Sequence, residues 1–346
     1  MRVLEFDRRF AMVGALAASG LAGCRAGAPP VASGPASLDS RRLAEGFAGL
    51  ASRAKPAALG FGVALIAPAL AWVSDANVRF PMQSVFKVFL AAATLSMVDA
   101  GQWKLAEPVT VTAEDLAPGE SPIARSWTGR PMTLPLVDLI ALAVQRSDNT
   151  AADVLMKRVG GPAAVTAWLR GKAIADISVD RYETEVQPEV LGMGPFQPAW
   201  ADPRVWGAAR DAVPAAEREA ATARYLADPR DTASLAATLD FLTRLASVQL
   251  LSPPSTRLLL RLMTDSVTGE DRLKAGLPPG AALAHKTGSS ATDLGLTPAW
   301  NDVGVVTLAN GRRFGIAAFL TGSSATQSVR DSLIADAARL AASCVS

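Results

Sequence analysis

The sequence predicts an α/β protein whose two chain ends form one domain, with an all-helical domain inserted between them. Strand-like runs lie near both ends of the chain, at residues 58–66, 71–73, 281–285, 303–308 and 313–320. Asn310-Gly311 separates the last two runs and predicts a hairpin. Because strands of one sheet must lie side by side, residues 38–80 and 281–346 are expected to form the α/β domain. Residues 81–280 are expected to form the all-helical domain.

Helices are predicted from apolar residues at helical spacing and from the residues that begin and end a helix. Asp39 or Ser40 can cap the first, Pro135 fits the first turn of the third, and Gly160 ends the fourth. The predicted helices span residues 38–54, 84–98, 133–145, 150–159, 162–170, 214–226, 234–246, 254–265 and 325–342. Residues 105–131 are expected to be irregular.

The composition fits a globular protein with a large core. The chain has 346 residues, half of them hydrophobic, and a formal net charge of +2. This balance predicts no nucleic-acid partner. The single histidine, His285, makes Ser-His-Asp catalysis and histidine-rich metal sites hard to build, and we expect no metal or cofactor. Two cysteines, Cys24 and Cys344, do not make a disulfide framework.

Residues 1–23 have the pattern of an export signal. Basic residues precede an apolar run over 10–21 that is too short for a comfortable membrane span. The run ends Leu-Ala-Gly-Cys at residues 21–24, which resembles the lipobox of bacterial lipoproteins, and Arg8-Arg9-Phe10 resembles a twin-arginine signal. The alternative is an ordinary signal cut nearby, with Cys24 lost or merely free.

The lipobox resemblance implies that the chain is cut before Cys24, which then carries lipid. Residues 24–37 are rich in alanine, glycine, proline and serine and are expected to form a flexible tether. We therefore expect a periplasmic lipoprotein that touches the membrane only through its lipid anchor, whether its signal is of the Sec or the Tat type.

Ser84 and Lys87 stand at the start of the helix predicted over 84–98. Three residues apart, they share one face of that helix. Their neighbours are apolar, and a buried lysine is costly to keep charged, so Lys87 would be a base beside the Ser84 hydroxyl. The alternative is a capping serine and a lysine that reaches for solvent. A second Ser-x-x-Lys, at residues 52–55, ends a polar helix before Pro56 and receives no role.

Four short motifs carry the candidate chemistry, in the order Ser84-Val85-Phe86-Lys87, Ser147-Asp148-Asn149, Arg181-Tyr182-Glu183 and Lys286-Thr287-Gly288. Each alone is weak, since Ser-Asp-Asn can be a helix cap and Lys-Thr-Gly a strand end. Together, in this order, they resemble the class A serine β-lactamases. The resemblance runs from residue 38 to the C-terminus apart from a long insert, and residues 80–87 and 293–321 resemble most the extended-spectrum branch. It implies a five-stranded antiparallel sheet flanked by helices.

The resemblance implies hydrolysis of a β-lactam amide through an acyl-enzyme. Ser84 would attack the carbonyl, and Lys87 would hold or accept its proton. Ser147 would relay a proton to the leaving nitrogen, and Asn149 would orient Lys87 and the substrate's side-chain amide. Lys286 would place positive charge near Ser147 and the substrate carboxylate.

The same resemblance assigns the remaining roles. The backbone N–H groups of Ser84 and Ser289 would form the oxyanion hole. The hydroxyls of Thr287 and Ser289, beside Gly288, would meet the substrate carboxylate. Glu183 matches the base that activates the deacylating water, and whether it or Lys87 acts as the base in acylation is disputed for the family.

Arg272 is the candidate partner of the substrate carboxylate. Many relatives place an arginine on the strand after the Lys-Thr-Gly strand, but residues 301–304 contain none. Arg272 matches a second position from which other relatives deliver the same guanidinium. The alternative is a plain surface arginine, but a carboxylate in a desolvated site needs a charged partner, which favours binding.

The chain departs from the family around the Ω-loop. Gln187 stands where the family usually has asparagine, so an amide that can hold the water remains but is one methylene longer. The arginine–aspartate pair that closes this loop is assigned to Arg181 and Asp231, with the insert at residues 188–230 between them. The loop is roughly thirty-five residues longer than usual. The insert is expected to form a lid or flank, or to sit away from the site. Glu120 falls where relatives often have an aromatic gatekeeper.

Two alternatives to a resistance-conferring β-lactamase remain open. A penicillin-binding D,D-peptidase shares three of the four motifs but lacks an equivalent of Glu183 and stays acylated by penicillin. A lipid-anchored β-lactam sensor or trap would bind without turnover. For the β-lactamase interpretation we expect small-molecule β-lactam substrates and a monomer.

Overall fold

Nine strands form the sheets of the computed structural model, which describes residues 36–346; the expected signal and Cys24 lie outside these residues. The strands are β1 (Ala58–Leu65), β2 (Ala71–Val73), β3 (Arg79–Pro81), β4 (Pro108–Val111), β5 (Met132–Pro135), β6 (Thr232–Ser234), β7 (Ala282–Ser289), β8 (Thr297–Thr307) and β9 (Arg313–Ser323). The main sheet is antiparallel in the order β2-β1-β9-β8-β7. β3 pairs with β6, and β4 with β5. The predicted five-stranded antiparallel sheet is confirmed.

Twelve α-helices are found within the described part of the chain. They are α1 (Ser40–Ala54), α2 (Phe86–Asp99), α3 (Pro122–Arg125), α4 (Leu136–Gln145), α5 (Asn149–Val159), α6 (Pro162–Gly171), α7 (Glu183–Val190), α8 (Pro203–Asp211), α9 (Ala215–Ala227), α10 (Leu235–Ala246), α11 (Pro253–Thr264) and α12 (Gln327–Cys344). Short 3₁₀ turns lie at Gln83–Val85, Ala113–Asp115 and Pro198–Ala201, and a π turn at Glu270–Lys274. Helices α2 to α11 all lie between β3 and β7 in the chain.

The main sheet separates two apolar cores. Along β9, Ile316, Ala318 and Leu320 join the core formed with α1 and α12, whereas Ala317 and Phe319 join the core formed with the inserted helices. Side chains alternate between faces along a strand, so a strand covered on both faces is apolar throughout. This arrangement explains why residues 313–320 show a continuous apolar run.

Helix α2 is the centre of the helical core. Every residue from Phe86 to Leu95 is buried, so apolar side chains surround this part of the helix and the Lys87 side chain does not reach solvent. Among the helices of residues 36–346, none is long and apolar enough to cross a bilayer.

Two short sheets were not predicted. The helix predicted over 133–145 begins only at Leu136, because Met132–Pro135 pairs with Pro108–Val111 as a two-stranded sheet. Pro135 has extended backbone and caps α4 from outside its first turn. Residues 105–131, expected to be irregular, therefore contain a strand and short helical turns.

The strand that carries the Lys-Thr-Gly motif is longer than predicted. β7 runs through residue 289 because its pairing with β8 continues past His285, with Lys286 opposite Val303 and Ser289 opposite Trp300. All three motif residues and Ser289 therefore lie on an edge strand of the main sheet.

Candidate active site

Ser84 lies in the 3₁₀ turn that leads into α2, and this turn packs against strand β7 near Gly288. Asn301 Nδ2 donates to the carbonyl oxygens of Pro81 at 2.8 Å and Met82 at 3.1 Å, which fixes the backbone just before the serine. A Cβ at Gly288 would lie 2.2 Å from the Met82 carbonyl oxygen, so only glycine allows β7 to approach this closely. Ser84 remains partly exposed, whereas its neighbours are buried.

Lys87 is the hub of the site. Its Nζ lies 3.0 Å from Ser84 Oγ, 2.7 Å from the Ser147 carbonyl oxygen and 2.5 Å from Asn149 Oδ1. It also lies 2.9 Å from Glu183 Oε1, and both partners of this ion pair are almost fully buried. The structure thus brings the predicted serine, lysine, asparagine and glutamate into direct contact around one ammonium group.

Lys286 joins the second serine to the strand. Its Nζ donates to Ser147 Oγ at 3.0 Å and to the Thr287 carbonyl oxygen at 2.8 Å. Complete burial, with Lys87 nearby, holds the pKa of Lys286 well below its usual value. Ser147 has a φ of +59°, a strained conformation for a residue with a side chain, as is common at functional sites. The Thr287 hydroxyl lies 2.8 Å from that of Thr268.

Asp148, the middle residue of its motif, holds the local backbone together. Its carboxylate accepts bonds from the N–H groups of Ile123 at 2.8 Å and Ala151 at 3.0 Å, and from Ser121 Oγ at 2.9 Å. It therefore caps α5 and ties it to the preceding loop. This contact positions the serine and asparagine on either side of it.

Asn149 is held from the same loop. Its Nδ2 donates to the Pro118 carbonyl oxygen at 2.7 Å, and its backbone N–H to the Glu120 carbonyl oxygen at 2.8 Å. The Glu120 side chain is exposed and pairs with Arg125 at 2.6 Å. Glu120 thus supports Asn149 through its backbone, while its carboxylate lies outside the cluster around Lys87.

Glu183 is the first residue of α7 and is anchored by a buried carboxylate from α5. Asp153 accepts the backbone N–H groups of Glu183 at 2.7 Å and Thr184 at 3.0 Å. Burial, with a further contribution from Glu183, raises the pKa of Asp153 to about 7. Glu185 is exposed and accepts the Tyr182 N–H at 2.8 Å, so it caps the helix as a structural residue.

Gln187 lies one turn after Glu183 on α7. Its Nε2 donates to Glu183 Oε2 at 2.8 Å and lies 3.5 Å from Gln83 Oε1. The Gln83 amide in turn donates to the hydroxyl of Tyr225 at 2.6 Å. Despite its extra methylene, Gln187 therefore contacts the carboxylate that the sequence marks as the water-activating base.

The Ω-loop is closed by the expected pair. Arg181 Nε lies 2.6 Å from Asp231 Oδ2 across 50 residues of chain. Asp231 Oδ1 also accepts the N–H groups of Asp180 at 2.7 Å and Arg181 at 3.2 Å. These contacts, here called the clasp, fix the two ends of the enlarged loop to each other, and Glu183 follows the first end by two residues.

The insert flanks the site. Helix α9 packs Tyr225 against Val186 and Val190 of α7, the helix that carries Glu183 and Gln187. One end of α9 reaches the turn between β7 and β8, where Arg218 Nη1 lies 3.2 Å from Asp293 Oδ1. Of the placements left open by the sequence, the structure selects the flanking one.

Arg272 reaches the end of the Lys-Thr-Gly strand. Its guanidinium donates to Ser289 Oγ at 2.7 Å and to the Asn301 carbonyl oxygen at 2.8 Å. Asp331 lies 3.3 Å from Nε, and the guanidinium carbon lies 3.8 Å from the centre of the Trp300 ring. This arginine is therefore buried and held in place, and is not the plain surface residue of the alternative interpretation.

His285 is engaged away from the serine. Its Nδ1 lies 2.8 Å from Asp302 Oδ1, with both side chains buried between β7 and β8. Across residues 36–346, no group of three or more His, Cys, Asp or Glu side chains is arranged to hold a metal ion. The side chains that contact Lys87 and Lys286 near Ser84 carry hydroxyl, amide and carboxylate groups.

Comparison with known protein families identifies the family to which this chain belongs. The model of the beta-lactamase enzyme family matches residues 67–344. The chain belongs to this family. Extended-spectrum beta-lactamase PER-1 of Pseudomonas aeruginosa is 31% identical over 264 residues, which are 76% of this chain and 74% of that relative. Beta-lactamase VEB-1 of the same organism is 30% identical over 263 residues, or 76% of this chain and 77% of the relative.

Solved structures of β-lactamases share the fold. The crystal structure of a β-lactamase from Chitinophaga pinensis superposes with a TM-score of 0.70 at 29% identity, covering 86% of this chain and 98% of that one. Family membership and these relatives together support β-lactam hydrolysis. The resemblance to the class A enzymes, and to the extended-spectrum branch in particular, is confirmed.

Three residues of this β-lactamase site were not foreseen. Asp153 carries a weak signal, because it follows Asn149 by four residues and stands among apolar neighbours in a predicted helix. Gln83 carries another, as a polar residue directly before Ser84 in an apolar stretch. Tyr225 lies in the insert, where no motif marks it.

Proposed function

We propose that this chain is a class A β-lactamase that hydrolyses its substrates through an acyl-enzyme on Ser84 and thereby confers antibiotic resistance. The observation that carries the proposal is the buried Lys87 ammonium, 3.0 Å from Ser84 Oγ and 2.9 Å from Glu183 Oε1. One lysine contacts both the nucleophile of the first step and the base of the second.

Acylation begins when Ser84 Oγ attacks the β-lactam carbonyl. When the proton of the buried pair resides on Glu183, Lys87 is neutral and can accept the Ser84 proton across their hydrogen bond. The backbone N–H groups of Ser84 and Ser289 then donate to the oxyanion. The geometry is compatible with either assignment of the base, because Lys87 Nζ lies 3.0 Å from Ser84 Oγ and 2.9 Å from Glu183 Oε1.

Opening of the ring requires a proton on the leaving nitrogen. Ser147 supplies it, and Lys286, 3.0 Å from Ser147 Oγ, replaces it. The lowered pKa of Lys286, caused by burial and by Lys87, makes its proton easier to release. Asn149, fixed by Lys87 and by the loop before it, orients the substrate's side-chain amide.

Deacylation requires a water above the ester. Glu183 is the only carboxylate found in direct contact with Lys87 among the described residues. Because a carboxylate only accepts hydrogen bonds, Gln187 must turn its amide N–H toward Glu183. The amide oxygen of Gln187 is then free to accept from the water that Glu183 deprotonates.

Turnover of the chromogenic cephalosporin nitrocefin tests the function. A β-lactamase should release many equivalents of product per enzyme. A D,D-peptidase or a sensor or trap should stop at about one equivalent, and that result would reject the proposal. Expression in a susceptible host, with Ser84→Ala as the matched control, should raise the inhibitory concentration of β-lactams only for the active chain.

Arg272→Ala should raise KM for penicillins more than it lowers kcat. The guanidinium at Ser289 would bind the substrate carboxylate equally in the ground and transition states. A charged hydrogen bond contributes roughly 1.5–3 kcal/mol, so kcat/KM should fall on the order of ten- to a hundredfold. Steady-state kinetics with a penicillin measures this.

Arg330→Ala is the matched control for lost packing. The Arg330 guanidinium carbon also lies over the Trp300 ring, at 4.6 Å, but Arg330 makes no contact with Ser289 among the described contacts. It should leave KM nearly unchanged. Equal KM increases in the two variants would mean that Arg272 acts only through packing around Trp300.

Cys24 is proposed as the lipidated residue that holds the enzyme at a membrane facing the periplasm, after removal of residues 1–23. Wild-type protein should remain in the membrane fraction through a carbonate wash. Cys24→Ala protein should be released, because the lipid on Cys24 would be the anchor of the protein. Retention of the variant in the washed membranes would show that the anchor is not lipid on Cys24.

A further inference from the structure

Helix α9 belongs to the insert, yet one of its side chains contacts the residue next to the nucleophile. The hydroxyl of Tyr225 accepts a hydrogen bond from Gln83 Nε2 at 2.6 Å, across 142 residues of chain. Tyr225 is 5% exposed as a residue, and its ring packs on Val186 and Val190 of α7. The insert therefore has a polar contact inside the active site as well as an apolar contact beneath it.

We propose that Tyr225 is a positioning residue for deacylation, acting through Gln83 on the Gln187 and Glu183 pair. This inference rests on the proposed acyl-enzyme mechanism. It assigns the insert a part in the reaction, since the water-holding amide is oriented by a hydroxyl from outside the shared motifs.

The donor and acceptor atoms of these side chains give each hydrogen bond a direction, beginning at Glu183. Glu183, as a carboxylate, accepts from Gln187 Nε2 at 2.8 Å. The same Nε2 lies 3.5 Å from Gln83, whose oxygen must face it. Gln83 then turns its own Nε2 toward the Tyr225 hydroxyl. The amide orientations are set from the Glu183 end, and the hydroxyl oxygen accepts the last hydrogen bond of the chain.

Loss of the hydroxyl removes the acceptor at the far end of this chain. Without it, the buried Nε2 of Gln83 has no acceptor at that end, and rotation of the amide would present N–H groups to Gln187 instead of oxygen. Burial raises the pKa of Tyr225, so the group is a neutral phenol throughout the working pH range. Gln83 also has a φ of +46°, so its backbone is already strained and offers little room for adjustment.

The effect should be confined to the second half of the reaction. The described hydrogen bonds from Lys87 to Ser84, and from Lys286 to Ser147, do not pass through Tyr225 or Gln83. Since kcat/KM reports steps up to acylation, a slower deacylation lowers kcat and KM together and leaves their ratio unchanged. A general loosening of the site would lower the ratio as well.

Tyr225→Phe tests the proposal while keeping the ring on α7. We expect kcat and KM for nitrocefin to fall together by about three- to thirtyfold, as for a lost buried hydrogen bond. Rapid mixing should show a burst that rises towards one equivalent at an unchanged initial rate, and intact mass should show more acyl-enzyme at steady state than in wild type. Thr222→Val is the control, because it removes a buried hydroxyl from the same helix; among the described residues, that hydroxyl hydrogen-bonds only to the Val190 carbonyl oxygen, at 3.4 Å. It should leave both constants unchanged.

A double-mutant cycle with Gln83→Met tests the route. If Tyr225 acts through Gln83, adding Tyr225→Phe to Gln83→Met should change kcat by less than twofold. A full effect of Tyr225→Phe in that background, or a fall in kcat/KM without a fall in KM, would overturn the proposal. Failure of the acyl-enzyme mechanism itself would appear separately, as a wild-type enzyme that forms no adduct on Ser84.

Discussion

Ser84→Ala should abolish turnover of nitrocefin. The serine oxygen is the nucleophile, and no other hydroxyl lies within hydrogen-bond distance of Lys87 Nζ among the described contacts. Loss of the nucleophile in a serine hydrolase lowers kcat by about 10⁴-fold or more. The measurement is steady-state hydrolysis by purified protein, with intact mass spectrometry after incubation with substrate. The variant should show no acyl adduct.

Ser52→Ala provides the control from within the same chain. Ser52 and Lys55 repeat the Ser-x-x-Lys spacing, but both are exposed at the end of α1. This variant should hydrolyse nitrocefin at the wild-type rate. Substantial hydrolysis by a clean preparation of the Ser84→Ala protein would refute the covalent mechanism.

Glu183→Ala should separate acylation from deacylation. Ser84, Lys87, Ser147 and Lys286 remain to form the ester, but the water lacks its base. The variant should release about one equivalent of chromophore and then stall. Intact mass should show a persistent adduct that maps to Ser84. The expected loss of steady-state rate is on the order of a thousandfold or more, at the upper part of the range for a general base.

The variant also removes the ion-pair partner of a buried lysine, so Glu183→Gln should be measured beside it. The amide retains the size of the side chain and a hydrogen-bond acceptor for Lys87 without the basic carboxylate. Glu219→Ala, at an exposed position on α9, should turn over normally. A Glu183→Ala protein that matches wild type and traps no adduct would exclude Glu183 as the deacylating base.

The large elements of the fold were predictable because they bury continuous apolar faces. The helix at Ser84 and the strand over residues 313–320 both reflect this burial. The paired strands Met132–Pro135 and Pro108–Val111 were not predictable, since four residues are too few to show a period. The extent of β7 depended on its pairing with β8, which local sequence does not record.

The residues of the candidate site also fall into two groups, those that local sequence predicts and those that depend on distant contacts. The serine, lysine and glutamate motifs stand out because their chemistry requires those residue types in a fixed order. Asp153, Gln83 and Tyr225 act through hydrogen bonds whose partners are 30 to 142 residues away. A contact of that kind depends on the completed fold, and the residue types involved also occur at many ordinary surface positions.

The Arg181–Asp231 clasp has a consequence for the size of the loop it closes. Closing a flexible loop costs chain entropy that grows only with the logarithm of its length, so extending it from roughly 15 to about 50 residues adds only about 1 kcal/mol. The Arg181–Asp231 ion pair, 2.6 Å between Nε and Oδ2, offsets that entropy at the point where the two ends of the loop meet. Residues can therefore be added within the closed loop while Glu183 stays anchored. The packing of Tyr225 on α7 can offset the added entropy. A loop closed this way can lengthen in evolution without first dismantling the catalytic centre that it carries.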